Sequence, residues 1–252
     1  MSVLDKIISA KRRRLSIKKL SNTFSDHYIE NSPDTKVLKF FETLNSAKGS
    51  YKIIAEIKKG SPSAGIIVDD YHPEEIAKKY LEKGFTNLSV LTEEDFFYGS
   101  PRHINIIKKM TNTPILQKDF IIDEWQIYHA KTLGVSCVLL ISEVLTKAEI
   151  KSFIKIAKSL DLDILLEFHE ESEMQKILDV DLEYIGINNR NLKTIQTDIN
   201  HCLKIKEKYY KELERFKIVA ESGFTSKKEL ERYKRNEIEL FLIGESLLKE
   251  KL

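Results

Sequence analysis

Cysteine, proline and glycine are all scarce in this chain of 252 residues: two Cys, five Pro and nine Gly. Two cysteines, Cys137 and Cys202, exclude a disulfide-stapled scaffold, a C-x-x-C redox pair and a thiolate metal centre. Cys137 falls inside the apolar run 135–141 and reads as a buried, reduced thiol of the kind expected in a cytoplasmic protein. No Pro/Gly/Ser-rich stretch offers a linker, so no boundary splits the chain. No apolar run approaches the ~20 residues that a membrane-spanning helix needs. Residues 1–20 are basic but lack an apolar h-region, so a secretory signal is not expected there. A dominant sign of charge is missing too. The chain has 41 Lys and Arg against 39 Asp and Glu, a net charge of +2. That argues against a nucleic-acid binder held by bulk charge, so any anion site must be built locally.

What is present is an alternation. Short apolar runs near 52–57, 87–91, 114–117, 136–141, 163–167, 184–188, 217–220 and 240–243 read as strands. Most are too continuously apolar for a half-solvated sheet, as parallel strands covered on both faces require. Between them lie Lys/Glu-rich segments with helical spacing, at 73–83, 102–110, 124–133, 146–159, 170–178, 200–213, 226–235 and 246–251. Asp123 and Thr146 (with Glu149 three residues on) read as helix N-caps, and Pro73 suits a first helical turn. Repeated strand–helix units at this spacing predict a (β/α)8 barrel. The rival is an open doubly wound sheet, but no G-x-G-x-x-G follows the first strand. The expectation is one α/β domain, with residues 49–252 forming the barrel and 1–48 an extension packed against it. The extension begins with a helical pattern, Val3, Leu4, Ile7, Ile8 and Leu15 lying near one face. Arg12, Arg13 and Arg14 then read as a solvated basic face, with attraction of phosphate toward a nearby site as the alternative.

In a barrel the catalytic groups gather at strand C-termini, and here the strand ends carry unusual charge. The first ends A-E-I-K at 55–58, the third Q-K-D-F at 117–120 and the fifth L-L-E at 165–167. The sixth ends I-N-N-R at 187–190 and the seventh A-E-S-G at 220–223. Singly, each is ordinary solvated edge or turn chemistry. Jointly, on a barrel, they put Glu56, Lys58, Lys118, Glu167, Asn188, Arg190 and Glu221 around one mouth. Acids and bases crowded into one cleft supply a general acid and a general base. The last two strands end in Gly223 and Gly244, each just before a helix. Loops of that kind after strands 7 and 8 commonly cradle a phosphate.

These residues also resemble a family. The run E-I-K-K-G-S-P-S-A-G at 56–65 resembles the E-x-K-x-x-S-P-S-x-G signature of indole-3-glycerol phosphate synthases. L-T-E-E-D-F-F-Y-G-S at 91–100, K-D-F-I-I-D at 118–123, I-G-I-N-N-R-N-L at 185–192, A-E-S-G at 220–223 and I-G-E-S-L at 243–247 are similar to the family's other loops, in order. The resemblance spans nearly the whole chain. It implies the substrate 1-(2-carboxyphenylamino)-1-deoxyribulose 5-phosphate, which is cyclised, decarboxylated and dehydrated in tryptophan biosynthesis. It implies no metal and no organic cofactor, a phosphorylated small molecule as the only partner besides a weak homodimer at most, and neither nucleic acid nor membrane.

Carried over by position, Lys58, Lys118 and Glu167 resemble the main catalytic residues, supported by Glu56, Asn188 and Glu221. Ser61, Arg190 and Ser222 match substrate positions. Gly223, Gly244 and the backbone of Glu245 match phosphate positions. Pro62, Phe97, Phe120 and Leu192 resemble the apolar walls around an anthranilate ring. Within this resemblance Lys118 is the acid of ring closure and Glu167 the base, while Lys58 holds the substrate carboxylate, serves as the dehydration acid, or does both. Gln117 and Ala64 depart from the family's common residues, and the carboxylate of Glu245 sits awkwardly beside a phosphate. A phosphoribosylanthranilate isomerase-like barrel and a non-catalytic phospholigand binder are the alternatives. The first does not account for the 56–65 and 118–123 runs together, and the second would be favoured by loss of Lys118 or Glu167, both of which are present.

Overall fold

The computed structural model describes residues 1–21 and 37–252, so part of the expected N-terminal extension lies outside the described residues. Parallel strands close into a barrel: β1 (Lys52–Ile57), β2 (Asn87–Leu91), β3 (Ile115–Lys118), β4 (Cys137–Ile141), β5 (Asp163–Phe168), β6 (Tyr184–Asn188), β7 (Lys217–Glu221) and β8 (Leu240–Ile243). Each pairs with its sequence neighbours, and β8 returns to β1 with Ile54 opposite Leu242. The open-sheet rival is thereby excluded. A two-stranded hairpin, Gly60–Ser61 with Gly65–Ile66, decorates the loop after β1.

Along a strand, side chains alternate between the two faces, and this places the charges. Ile54, Leu116, Leu165 and Val219 pack together inside the barrel. Two residues further along the same strands come Glu56, Lys118, Glu167 and Glu221, which therefore also face inward, one layer higher at the C-terminal mouth. The opposite faces of the strands pack on the surrounding helices through residues such as Ala55, Val90, Leu166 and Ile187.

Those helices are α3 (Pro73–Glu82), α4 (Pro101–Lys108), α5 (Glu124–Thr132), α6 (Lys147–Ser159), α7 (Met174–Leu178), α8 (His201–Lys208), α9 (Tyr210–Leu213), α10 (Lys227–Arg235) and α11 (Glu245–Leu248). Pro73 opens α3, Asp123 caps α5 by accepting the Trp125 N–H, and Thr146 with Glu149 forms a capping box on α6. The expected helix over 200–213 is interrupted at Tyr209, whose φ of −113° and ψ of 33° leave the helical region while its hydroxyl donates to Glu171.

The extension closes the barrel at both ends. Helix α2 (Phe40–Ser46), which the sequence pattern did not reveal, plugs the bottom. Phe40 and Leu44 are fully buried against the barrel interior. The Phe40 and Phe41 N–H groups donate to Asp163 Oδ2 at 2.7 and 3.2 Å, Asn87 donates to the Phe40 carbonyl at 2.8 Å, and Phe41 stacks on Tyr184. Helix α1 (Val3–Ser21) lies at the other end. Leu4 and Ile7 pack on the same interior cluster. Lys11 forms a buried pair with Asp119 at 2.6 Å, just past β3. Its basic stretch is not simply solvated, as the sequence suggested. Arg12 and Arg13 are exposed, but Arg14 is clamped by Asp95 and Glu94 in the loop after β2, because that loop presents an acidic run to it.

Candidate active site

A cavity of about 450 Å³ opens at the C-terminal mouth. Glu56, Lys58, Ser61, Pro62, Phe97, Lys118, Phe120, Glu167, Asn188, Arg190, Leu192, Glu221, Ser222, Gly223, Gly244 and Glu245 all line it. The structure thus brings together every catalytic, substrate and phosphate candidate read from the sequence.

At its centre Lys118 Nζ lies 2.7 Å from Glu167 Oε2 and 2.5 Å from Glu221 Oε2. Asn188 Nδ2 donates to the other Glu167 oxygen at 2.7 Å. The two carboxyls are both buried, and their pKa values are pushed in opposite directions. Burial pushes Glu167 up, but the Lys118 charge and the hydrogen bonds from Lys118 and Asn188 outweigh it and hold the group below the usual range. Glu221 is driven well above that range by burial and then by the negative charge of Glu167. Burial would lower Lys118, yet its acidic neighbours keep it above an ordinary lysine. Lys118 therefore sits between two carboxyls whose surroundings push their pKa values apart. Gly186 makes room for this arrangement, since a Cβ there would overlap Glu221 Oε1. Lys58 stands apart from this group, paired with Glu56 at 2.5 Å.

The walls are built from loops. The Phe97 and Phe120 rings lie 6.1 Å apart between centroids. Phe97 is held by Glu93, a buried carboxylate that accepts the N–H groups of Phe96 at 2.7 Å and Phe97 at 3.1 Å. Arg190 donates to Ser63, which is 3.2 Å from Ser61, so the loops after β6 and β1 meet across the mouth. Gln117 donates to Thr92 at 3.1 Å and Thr92 to Asp119 at 2.7 Å, which places this departure from the family pattern in the network that ends on Lys11.

At the phosphate candidates, Ser222 and Gly223 both have left-handed φ, 66° and 89°. A Cβ on Gly223 would also come 2.9 Å from Thr197. Gly244 sits against Glu56, leaving no space for a side chain. The awkward carboxylate of Glu245 is turned to Lys249, 2.7 Å away. Just before α10, Glu229 folds back and accepts the N–H groups of Thr225 and Ser226 at 2.6 and 2.9 Å.

Several residues at this mouth had no role in the sequence reading. Ile7 of α1 and Ser63 line the cavity. Glu93 and Asp119 stood inside runs quoted for their resemblance, and only their buried hydrogen bonds show what they hold. Lys249 and Lys251 also line the cavity, and their sequence context resembles any solvated helix end.

A parallel barrel whose C-terminal mouth holds Lys58, Lys118, Glu56, Glu167 and Glu221 beside an aromatic wall defines an acid–base enzyme of the (β/α)8 class. A family model described as indole-3-glycerol phosphate synthase matches residues 4–251. The chain belongs to the indole-3-glycerol phosphate synthase family. It is 40% identical to the indole-3-glycerol phosphate synthase of Campylobacter fetus subsp. fetus, over 98% of this chain and 95% of the relative. It is 39% identical to that of Endomicrobium trichonymphae, again over 98% and 95%. Among solved structures, an N-acetylmannosamine-6-phosphate 2-epimerase from Clostridium perfringens superposes with a TM-score of 0.57 at 11% identity, covering 81% of this chain and 89% of that one. At that identity the likeness concerns the fold alone.

Proposed function

We propose that the Lys118–Glu167–Glu221 triad and Lys58 carry out the family's reaction, with the roles that follow. The chain catalyses the carboxy-lyase reaction of indole-3-glycerol phosphate synthases, a step of tryptophan biosynthesis on a phosphorylated small molecule. The ring carbon bearing the carboxylate attacks the C2′ carbonyl carbon, and the carbonyl oxygen takes a proton from Lys118. An alkoxide is far more basic than an amine, so a lysine that holds its proton firmly still gives it up to this oxygen. Carbon dioxide leaves and its bonding electrons return to the ring. The hydroxyl then departs as water, and Glu167 removes the proton whose loss completes the indole. Lys58 is assigned to the substrate carboxylate and to the dehydration proton. Glu56, Asn188 and Glu221 hold these groups in place.

Phe97, Phe120, Pro62 and Leu192 enclose the aromatic ring, and Ser61, Arg190 and Ser222 contact the polar chain. The phosphate rests on backbone N–H groups at Gly223 and at Gly244–Glu245. The single observation that carries the reading is the placement of Lys118 between two buried carboxyls in an apolar-walled cavity. We also read the chain as one cytoplasmic domain, 1–48 packed on the barrel 49–252, working as a monomer or weak homodimer. Among the described residues the exposed large apolar side chains, Met110 and Tyr210 among them, are few; a stable dimer in light scattering would contradict that reading. The test of function is to incubate the protein with the anilino-ribulose phosphate and no added metal. Indole fluorescence should rise with time; a substrate that is bound but unchanged would overturn the proposal.

A further inference from the structure

The end of β4 departs from the other strand ends. It gives the cavity only Leu139 and Ile141, and the charged group that follows, Glu143, turns sideways toward β5. Glu143 Oε1 accepts the N–H groups of His169 at 2.6 Å and Glu170 at 2.9 Å, in the turn directly after β5. Glu167 lies two residues before His169. The second oxygen, Oε2, is buried with no hydrogen-bond partner among the described residues. The same turn is held from its other side. His169 Nδ1 is 2.7 Å from the carbonyl of Asn188, and His201 Nε2 is 2.7 Å from the carbonyl of His169, with the two rings stacked. Asn188 in turn donates to Glu167. The segment carrying Glu143 is itself fixed. Ser142 donates to Glu173 at 2.7 Å, and Lys176 donates to the Ser142 and Leu145 carbonyls, both at 2.9 Å.

We propose that Glu143 is a positioning residue for the catalytic base: by binding the two backbone N–H groups after β5, it fixes the turn from which Glu167, and through His169 also Asn188, meet the substrate. The inference rests on the reading of Glu167 as the base. Two adjacent N–H groups converging on one oxygen leave no second way to satisfy both if that oxygen is removed. The turn then relaxes, and the error passes to a carboxylate whose placement decides the rate.

Glu143 also changes charge in the working range. Burial pushes its carboxyl up to about 7 against the opposing pull of the backbone N–H groups. The titratable and charged groups around it are Glu167, His169 and Glu170, with the Glu173–Lys176 pair behind Ser142. Once ionised, Glu143 grips the N–H groups more strongly, and its charge makes Glu167 a better base. Both effects raise kcat as pH rises through about 7.

The test compares Glu143→Ala, Glu143→Gln and Glu167→Gln in steady-state kinetics across pH. Glu143→Gln keeps an oxygen for the two N–H groups but cannot ionise. It should hold the kcat of the parent's acidic side and lose the rise near neutral pH. Glu143→Ala should lower kcat by about tenfold to a hundredfold with KM little changed, since the turn and not the substrate contacts is disturbed. A kcat in folded Glu143→Ala equal to the parent's, or a neutral rise that survives in Glu143→Gln, overturns the proposal. Turnover persisting in Glu167→Gln would instead remove the base assignment on which it rests.

Discussion

Lys118 touches two glutamates, and the chemistry depends on their being unlike. Burial and the neighbouring Glu167 charge drive Glu221 upward, while Lys118 and Asn188 hold Glu167 down. The sign of this arrangement is measurable. A carboxyl whose pKa is raised on folding holds more protons folded than unfolded. Its contribution to stability is complete below the ordinary carboxylate value and is lost as pH rises through the raised one. Glu221 is of this kind, whereas Glu167, lowered by Lys118, contributes in the opposite sense, losing its share as pH falls. Glu221→Gln mimics the protonated acid, so its melting temperature should fall less than the parent's as pH rises above the ordinary carboxylate range. Identical pH dependence in the two proteins would show that Glu221 is ionised in the parent. The charged residues of this layer were legible in the sequence because they interrupt apolar strands at their ends. Which of the two glutamates is raised and which is lowered was not, because it depends on burial and on distances of under 3 Å across the barrel.

At the scale of elements, the loops after β7 and β8 make a prediction about phosphate. Gly223 has positive φ and a tight contact with Thr197, so Gly223→Val should weaken binding of product, by crowding the cradle and resisting that backbone conformation. Glu245→Ser should leave affinity unchanged or raise it, because the Glu245 carboxylate already faces Lys249. Fluorescence titration of product against both variants checks this; normal affinity in Gly223→Val with a loss in Glu245→Ser would put the cradle elsewhere.

Among the described residues, the extension has two helices with separate tasks. Removing 1–45 would take Phe40, Phe41 and Leu44 out of the barrel floor, and losing a single buried Phe side chain typically costs about 3–5 kcal/mol. Removing only 1–21 takes away α1, its Ile7 contact with the cavity and the Lys11–Asp119 pair. That shorter truncation should stay folded and raise KM; unchanged KM would make α1 packing only. The sequence pattern showed α1 through its apolar spacing. It concealed α2, a short helix with adjacent aromatics, whose role is visible only against Asp163, Asn87 and Tyr184.

At the scale of the whole molecule, the barrel itself was the most legible feature, since eight apolar runs separated by amphipathic segments leave few ways to cover parallel strands on both faces. Period-two alternation then carries Leu116 to Lys118, Leu165 to Glu167 and Val219 to Glu221, converting an apolar interior into a charged mouth within two residues. Less was legible about what steadies that mouth. Glu93, Asp119 and Glu143 are acidic residues in loops, and nothing local distinguishes them from solvated ones; their backbone partners become evident only once the loops are folded together. The account as a whole stands on Lys118 and Glu167 as acid and base. The most direct measurement is single-turnover conversion of saturating substrate by Lys118→Ala and by Glu167→Gln, alongside melting curves. Each variant should stay folded and lose about 10²–10⁴ in the rate of indole formation, the usual worth of a general acid or base. A folded variant that turns over at the parent's rate would contradict the account for that residue.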